Sequence, residues 1–187
     1  MSYIEPQLVF CHNDLNPNNI IYDPVTRQVS FLHLEFADMN FQAFELARHF
    51  YTLCGSDLDR VGSSDYVPAP EFQIRWCQHY LAAYQNTSTK EVIIYILDRR
   101  KMKRNLLKVF YFIFFFFQVS QIEVERLYML VQKFALVFLL QEMIWSLIKV
   151  EDPKHPRPPS DFDVLGYGIK RYHQFKKSKY NILSMNI

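Results

Sequence analysis

The fold is decided by the stretch FCHNDLNPNNIIY, residues 10–22. Short apolar runs at 7–11 and 19–22 are rich in branched side chains and predict a strand on either side. The polar segment between them contains Pro17, which bars regular structure, so we expect a loop that joins the two strands. A loop held between short strands is a place where a rigid scaffold presents reactive side chains.

This loop carries a spacing with chemical meaning. His12, Asp14 and Asn19 match the kinase catalytic-loop pattern H-x-D-x-x-x-x-N. In that arrangement the aspartate accepts the proton of the hydroxyl nucleophile, the asparagine carbonyl offers oxygen to Mg²⁺, and the histidine holds the loop in shape. The alternative is a solvated turn made of Asp14 and the neighbouring asparagines, and the motif by itself leaves both interpretations open.

Outward from the loop, the chain is mainly helical. Apolar residues recur at spacings of three and four, which predicts helices. The helix with the longest apolar stripe also carries apolar side chains on its opposite face, so we expect it to be central and buried. Four prolines in 152–159 end that helix, and Ser160 or Asp161 is a suitable N-cap for the last one. The predicted elements are a third strand over 29–34 and helices over 41–53, 70–84, 127–148 and 161–175. They indicate an α+β fold whose few short strands carry the loop.

Composition narrows the functional classes. The 187 residues are half apolar, enough for one domain with a real core. A net charge of +2 predicts neither nucleic-acid binding nor an acidic partner. Cys11, Cys54 and Cys77 form no C-x-x-C pair, and the N-terminus shows no charged-then-apolar leader, so the expected location is cytoplasmic.

Six segments of the sequence occur in an informative order. They are FCHNDL with NIIY (10–15, 19–22), FLHLEF (31–36), FELARHF (44–50), FQIRW with YLAAY (72–76, 80–84), FAL with WSLI (134–136, 145–148) and FDVLGY (162–167). Together they resemble the choline/ethanolamine kinase family, over most of residues 7–89 and 119–176. The loop with its following strand is nearest the ethanolamine form, as is the segment FDVLGY of the last helix.

The resemblance implies a protein-kinase-like C-terminal lobe that takes part in ATP- and Mg²⁺-dependent phosphorylation of ethanolamine or choline. It assigns catalysis to Asp14 and His12, and metal binding to Asn19 and Glu35. A cationic head group would sit against aromatic faces. The implied substrate-binding residues are Trp145, Tyr167, Phe162, Glu142 and Phe36. Ordinary core packing is the alternative interpretation of the rings.

Several positions depart from the family pattern. His33 stands where the family has a metal-binding aspartate, and imidazole is a poor ligand for Mg²⁺. Glu35 lies two residues further along, on the same side of a predicted strand, where its carboxylate would compensate in part for the missing aspartate. Glu142 replaces an aromatic residue of the cage, and Phe36 replaces a tyrosine. Arg48 takes the place of an asparagine and Glu45 that of an aspartate. Together these changes predict relaxed constraint on catalysis.

In this fold a nucleotide-binding lobe precedes the catalytic loop and supplies the phosphate-covering loop and a strand lysine. Residues 1–11 cannot provide them, so whether this chain is an enzyme stays open, and we expect it to be incomplete or inactive by itself. The alternative is a non-catalytic, pseudokinase-like module that pairs with a full-length kinase subunit. A dimer, homomeric or heteromeric, is the partner arrangement considered.

Residues 90–118 fit neither the family nor the rest of the predicted single domain, 1–187. A basic cluster is followed by a phenylalanine run that closes at Gln118. Since a pyrimidine-rich tract before a splice acceptor would be translated in this way, we interpret the stretch as translated intron. The alternative is a helical insertion. The apolar run 109–117 is far shorter than the ~20 residues that span a bilayer, so no membrane-spanning segment is expected. Membrane association through this run is a third functional hypothesis.

Overall fold

The computed structural model describes residues 5–53, 67–97, 119–151 and 162–185. The strands are β1 (Leu8–Cys11), β2 (Ile20–Asp23), β3 (Gln28–Phe31) and β4 (Asp38–Phe41), and the helices are α1 (Gln42–Thr52), α2 (Pro70–Leu97), α3 (Gln121–Glu151) and α4 (Val164–Leu183). Short 3₁₀ turns lie at Pro17–Asn19 and Leu34–Phe36. The mostly helical α+β class is therefore confirmed.

The chain divides into two compact units, Met1–Ala69 with Met129–Ile187, and Pro70–Tyr128. Helix α3 begins in the second unit and continues in the first. That residues 1–187 form one domain stays a prediction. Of the predicted insertion, 90–97 continues α2, and 98–118 lies outside the described residues.

Two antiparallel strand pairs hold the loop. β1 pairs with β4, Leu8 opposite Phe41 and Cys11 opposite Asp38. β2 pairs with β3 across a tight turn, in which the Asp23 carboxylate accepts from the Val25 N–H at 2.9 Å. Because β1 and β4 are paired, the segment between them begins and ends at one place, at the end of this ladder.

Helix α1 forms the centre of the first unit's core. Its buried apolar side chains include Phe44, Leu46, Ala47 and Phe50. The Phe44 ring lies 6.4 Å from the ring of Phe134 on α3. Two further pairs of rings are in contact: the ring centroids of Phe41 and Phe134 lie 5.1 Å apart, and those of Tyr51 and Phe138 lie 6.0 Å apart. Such aromatic pairs contribute about 0.5–1.5 kcal/mol beyond their buried area, so they fix α3 beside α1.

In the second unit, α3 begins with a capping box. The Ser120 hydroxyl accepts from the Glu123 N–H, and the Glu123 carboxylate accepts from the Ser120 N–H at 2.9 Å. On α2, Cys77 is fully buried, and burial raises the pKa of its thiol to about 12. The thiol is therefore an inert packing group at neutral pH.

Four predicted boundaries were wrong. The third strand ends at Phe31 and not at residue 34, because His33 takes a left-handed conformation (φ 59°) that ends the strand and leads into the 3₁₀ turn. Helix α2 continues well past residue 84, to Leu97. The last helix begins at Val164, where Asp163 accepts the Gly166 N–H at 2.8 Å, and runs past residue 175 to Leu183.

Helix α3 is only half buried, which corrects the prediction of burial on both sides. Val131, Ala135, Phe138 and Leu139 are in the core, as are other residues of that face. The exposed apolar residues on the helix include Val137, Ile144, Leu147 and Ile148. By length and composition alone α3 is able to cross a membrane, a test that the core helix of a soluble protein also passes.

Candidate active site

His12 anchors the loop directly after β1. Its ring is buried, Nε2 lies 2.7 Å from the Leu32 carbonyl oxygen, and Nδ1 accepts the Asp14 N–H at 3.3 Å. Because Nδ1 accepts, the proton belongs on Nε2, which then donates to Leu32. One imidazole thus joins the start of the loop to the segment after β3. Its predicted role in holding the loop stays a prediction with a geometry that suits it.

Glu45 fixes the loop from the first turn of α1. Its carboxylate accepts the N–H of His12 at 2.7 Å and that of Asn13 at 3.0 Å. Asn13 has φ 62°, a left-handed conformation that asparagine tolerates better than most residues. The Asn13 side chain donates to the Phe36 carbonyl at 2.9 Å and accepts from Asn40 at 2.8 Å. The loop is therefore pinned on three sides.

Asn19 holds Asp14. The buried Asn19 amide nitrogen donates to both the backbone carbonyl and the carboxylate Oδ2 of Asp14, each at 2.8 Å. The turn that carries Asn19 begins at Asn16, whose side chain caps it by accepting the Asn18 N–H at 3.0 Å. Since the amide nitrogen serves Asp14, the carbonyl oxygen is the atom that Asn19 would offer to a cation.

Arg48, on α1, reaches two carboxylates. One terminal nitrogen lies 2.5 Å from Asp14 Oδ1 and the other 3.6 Å from Glu142 Oε1. The guanidinium also lies over the Phe138 ring, 5.6 Å from its centroid. Arg48 therefore links the loop that carries Asp14, α1 and α3 at one point.

Asp14 and Glu142 both line a cavity of about 870 Å³. The aromatic residues of its wall are Phe36, Phe41, Phe44, Phe134, Trp145, Phe162 and Tyr167. Trp145 meets Tyr167 edge-on at 6.4 Å and Phe162 lies 5.6 Å from the same ring. The structure thus brings every predicted substrate-binding residue to one cavity, while their binding roles stay predictions.

Tyr167 is tied to Glu142, since its hydroxyl donates a short hydrogen bond to the Glu142 carboxylate. Burial, first of all, raises the pKa of Tyr167 above its usual value, and the neighbouring Glu142 acts in the same direction while Arg171 opposes it. The phenol therefore stays a neutral donor at all physiological pH values.

The residues predicted to bind metal do not form a site that fits Mg²⁺. His33 and Glu35 sit together on an exposed turn, Nδ1 to Oε1 at 3.6 Å, so the carboxylate already faces an imidazole. Asp14 is engaged by Asn19 and Arg48. Within 5–53, 67–97, 119–151 and 162–185, no three His, Cys, Asp or Glu side chains converge. Mg²⁺ needs several oxygen ligands in octahedral geometry.

Sequence reasoning missed part of this site. Glu45 and Arg48 were recognised only as departures from a pattern, yet their spacing of three on α1 puts both on the face toward the loop. The apolar periodicity predicts helix or core positions for Phe41, Phe44 and Phe134, and these residues line the cavity as well. No local pattern distinguishes a ring in a core from one at the edge of a cavity.

Comparison with known proteins gives a consistent result. The family described as "Choline/ethanolamine kinase" matches residues 1–176. The ethanolamine kinase of Drosophila melanogaster is 33% identical over 182 residues, which is 97% of this chain and 28% of that protein. Human ethanolamine kinase 2 is 33% identical, over 96% of this chain and 36% of that protein. The chain thus spans about a third of the length of these curated relatives.

Two solved structures share the fold. An ethanolamine kinase of Plasmodium vivax superposes with a TM-score of 0.57 at 21% identity, covering 91% of this chain and 34% of that one. A choline kinase of Cryptosporidium parvum gives a TM-score of 0.58 at 19% identity, covering 94% of this chain and 39% of that one. The kinase-like fold expected from the resemblance is therefore confirmed.

Proposed function

Since the chain belongs to the choline/ethanolamine kinase family, we propose that it forms the amino-alcohol-binding part of a kinase that phosphorylates ethanolamine, with choline as the less favoured substrate. The observation that carries the proposal is the shared cavity of the loop carboxylate Asp14 and the aromatic cage around Glu142. An amino alcohol has a hydroxyl at one end and a cation at the other, and the cavity offers a partner for each.

At the hydroxyl end, Asp14 accepts the proton as the substrate oxygen attacks the γ-phosphorus and the bond to ADP breaks. Asn19 orients the carboxylate through Oδ2, His12 accepts the N–H of Asp14 itself, and Glu45 accepts the N–H groups of the two residues before it. The proton acceptor is thus a fixed group on a pinned loop, and catalysis of this kind depends mainly on such positioning.

At the ammonium end, the ring faces of Trp145, Tyr167 and Phe162 attract a cation and the Glu142 carboxylate adds a charge. Trp145 is 39% exposed, and its side chain is part of the cavity wall. The relatives compared above are named ethanolamine kinases, which supports ethanolamine as the first choice.

ATP is the phosphoryl donor that membership of the family implies, with Mg²⁺ as its counter-ion. Asn19 is the described residue best suited to offer an oxygen there, but His33 and Glu35 do not complete a site. The proposal therefore assigns to this chain the binding and orientation of the amino alcohol, and places nucleotide binding elsewhere in the active protein.

The test uses the chain joined behind the N-terminal part of a curated relative, with ATP-dependent phosphorylation of ethanolamine and choline as readout. Asp14→Asn is expected to lower turnover by on the order of 100- to 10,000-fold, the usual contribution of a general base. Asp38→Asn is the matched control, because that exposed carboxylate accepts only the N–H of the next residue in the hydrogen bonds seen here. Equal turnover in the wild type and Asp14→Asn would contradict the assignment.

A non-catalytic binding module is the second candidate. The imidazole of His33 at the metal position favours it, as do the exposed apolar side chains around the loop: Phe10 is 72% and Phe36 62% exposed. A packing partner would cover such surfaces. Ethanolamine binding to the completed chain in a calorimetric titration, with no turnover in the phosphorylation assay, would support this candidate.

A further inference from the structure

Arg48 is the charged group of the cavity that the proposed function does not use. We propose that Arg48 is a resident cation that sets the affinity of the cavity for amino alcohols: its guanidinium bridges Asp14 and Glu142, the two carboxylates that an amino alcohol would need, and so competes with the substrate and weakens its binding. The inference rests on the proposed function, because it takes those carboxylates to be the substrate's partners.

The contacts place Arg48 along the substrate's own path. An amino alcohol would direct its hydroxyl to Asp14 and its ammonium to Glu142. The Arg48 guanidinium makes both contacts, at 2.5 Å and 3.6 Å from its two terminal nitrogens. The planar guanidinium, with a donor nitrogen toward each carboxylate, therefore occupies the places that the hydroxyl and the ammonium of a short amino alcohol would take.

Three of the four carboxylate oxygens accept internal hydrogen bonds, and the fourth faces a cation. Arg48 donates to Asp14 Oδ1 and Asn19 donates to Oδ2. The Tyr167 hydroxyl donates to Glu142 Oε2, and Oε1 lies in an ion pair with Arg48 at 3.6 Å. A ligand hydroxyl or ammonium that enters the cavity must displace one of these groups or share its acceptor, and Arg48 is the group common to both carboxylates.

The positive charge of Arg48 also disfavours the binding of an ammonium group. Asp14, Glu142 and Arg48 all line the cavity, so the guanidinium cancels one of two negative charges there. A second cation would lie close to a fixed one in a partly desolvated site, where like charges strongly disfavour each other. The cavity is therefore less attractive to an ammonium than its carboxylates and rings suggest.

Only the two terminal nitrogens of Arg48 contact carboxylates among the described residues. Arg48 Nε is buried and has no hydrogen-bond partner among the described residues. The side chain is thus retained mainly through the two carboxylates and the Phe138 ring below it. Removing it exposes both carboxylates to the cavity without disturbing the bonds from Asn19 and Tyr167.

The experiment is calorimetric titration of the full chain with ethanolamine hydrochloride, choline chloride and methylguanidinium chloride. Arg48→Asn is expected to bind ethanolamine at least about tenfold more tightly than the wild type, since a fixed like charge is removed. Arg48→Lys keeps the cation and is expected to stay within about threefold of the wild type. Arg75→Asn is the matched control, which removes the same charge from an exposed site on α2.

The outcomes separate this inference from the proposed function. Equal ethanolamine affinity in the wild type and Arg48→Asn overturns the inference and leaves the proposed function intact. If Arg48→Asn binds methylguanidinium but neither amino alcohol, the resident-cation site stands and the proposed function fails. If it binds none of the three, the inference is overturned. If Arg48→Asn no longer unfolds cooperatively on heating, Arg48→Met replaces it in the comparison of ethanolamine affinity with the wild type, because methionine keeps most of the aliphatic stem.

Discussion

At the scale of the residue, His49 is a buried titratable group beside the loop that carries Asp14. Its Nδ1 lies 3.2 Å from the carbonyl oxygen of Leu15, and its side chain is in the core of the first unit. Burial lowers the pKa of His49 below its ordinary value, more than the Leu15 bond and the charge of Glu45 raise it. The neutral imidazole is thus the form that the fold accommodates.

The pH dependence of stability follows from that direction. A histidine with a lowered pKa in the fold binds a proton more readily when unfolded, so its contribution is complete above the ordinary value of 6.5 and is lost as pH falls through the folded pKa. We expect the free energy of unfolding, measured by urea titration, to fall as pH decreases from about 7 to 5, and less steeply in His49→Gln. His173→Gln, at an exposed site on α4, should keep the wild-type slope. Identical slopes in all three proteins would contradict this account.

At the scale of the element, the crossing of α3 and α4 depends on one glycine. A Cβ at Gly168 would lie 2.6 Å from the Cβ of Ser146, which is itself fully buried. No side-chain rotation relieves a contact between two Cβ atoms, so only glycine allows the helices to approach this closely. The crossing matters because it places Tyr167 of α4 against Glu142 of α3.

Gly168→Ala is expected to destabilise the chain by about 1–3 kcal/mol, the usual cost of overpacking. The measurement is the free energy of unfolding, with Ile169→Ala as control because that neighbouring side chain is largely exposed. Ser146→Gly removes the opposing Cβ, so the double variant should lose less stability than the two single variants together. Strict additivity would show that the clash lies elsewhere.

At the scale of the whole molecule, the question is whether α3 belongs to a core or to a membrane. The helix is long and apolar enough for either. One face packs on α1 through Phe134 and Phe138, and Glu142 in its second half is engaged by Arg48 and Tyr167. A charged residue inside a bilayer is costly, and here it already has partners in the fold.

We therefore expect the chain in the supernatant after carbonate extraction of a membrane fraction, measured by immunoblot beside an integral membrane protein. Pelleting with that marker would contradict the placement of α3 in the core. In that case a version without residues 98–118 would distinguish α3 from the phenylalanine run, which lies outside the described part of the chain.

The sequence by itself determined the family, the fold class and the elements with strong local signals. The loop was evident from Pro17 and the spacing of His12, Asp14 and Asn19, since these residues act within a few positions of one another. Periodic apolar residues likewise located the helices. The boundaries of the elements were less certain. The left-handed conformation of His33 that ends β3 leaves no pattern of apolar residues in the sequence. The N-cap Asp163 has equally suitable capping residues two and three positions before it.

Only the tertiary structure decided what Arg48 does. Asp14, Arg48 and Glu142 come from the loop, α1 and α3, far apart in the chain, and no local pattern relates them. In the sequence Arg48 is one unusual residue in a helix. It becomes the bridge of two carboxylates because the pairing of β1 with β4 and the packing of Phe44 on Phe134 bring three elements to one point. Electrostatic interaction depends on distance in space, which chain spacing does not specify.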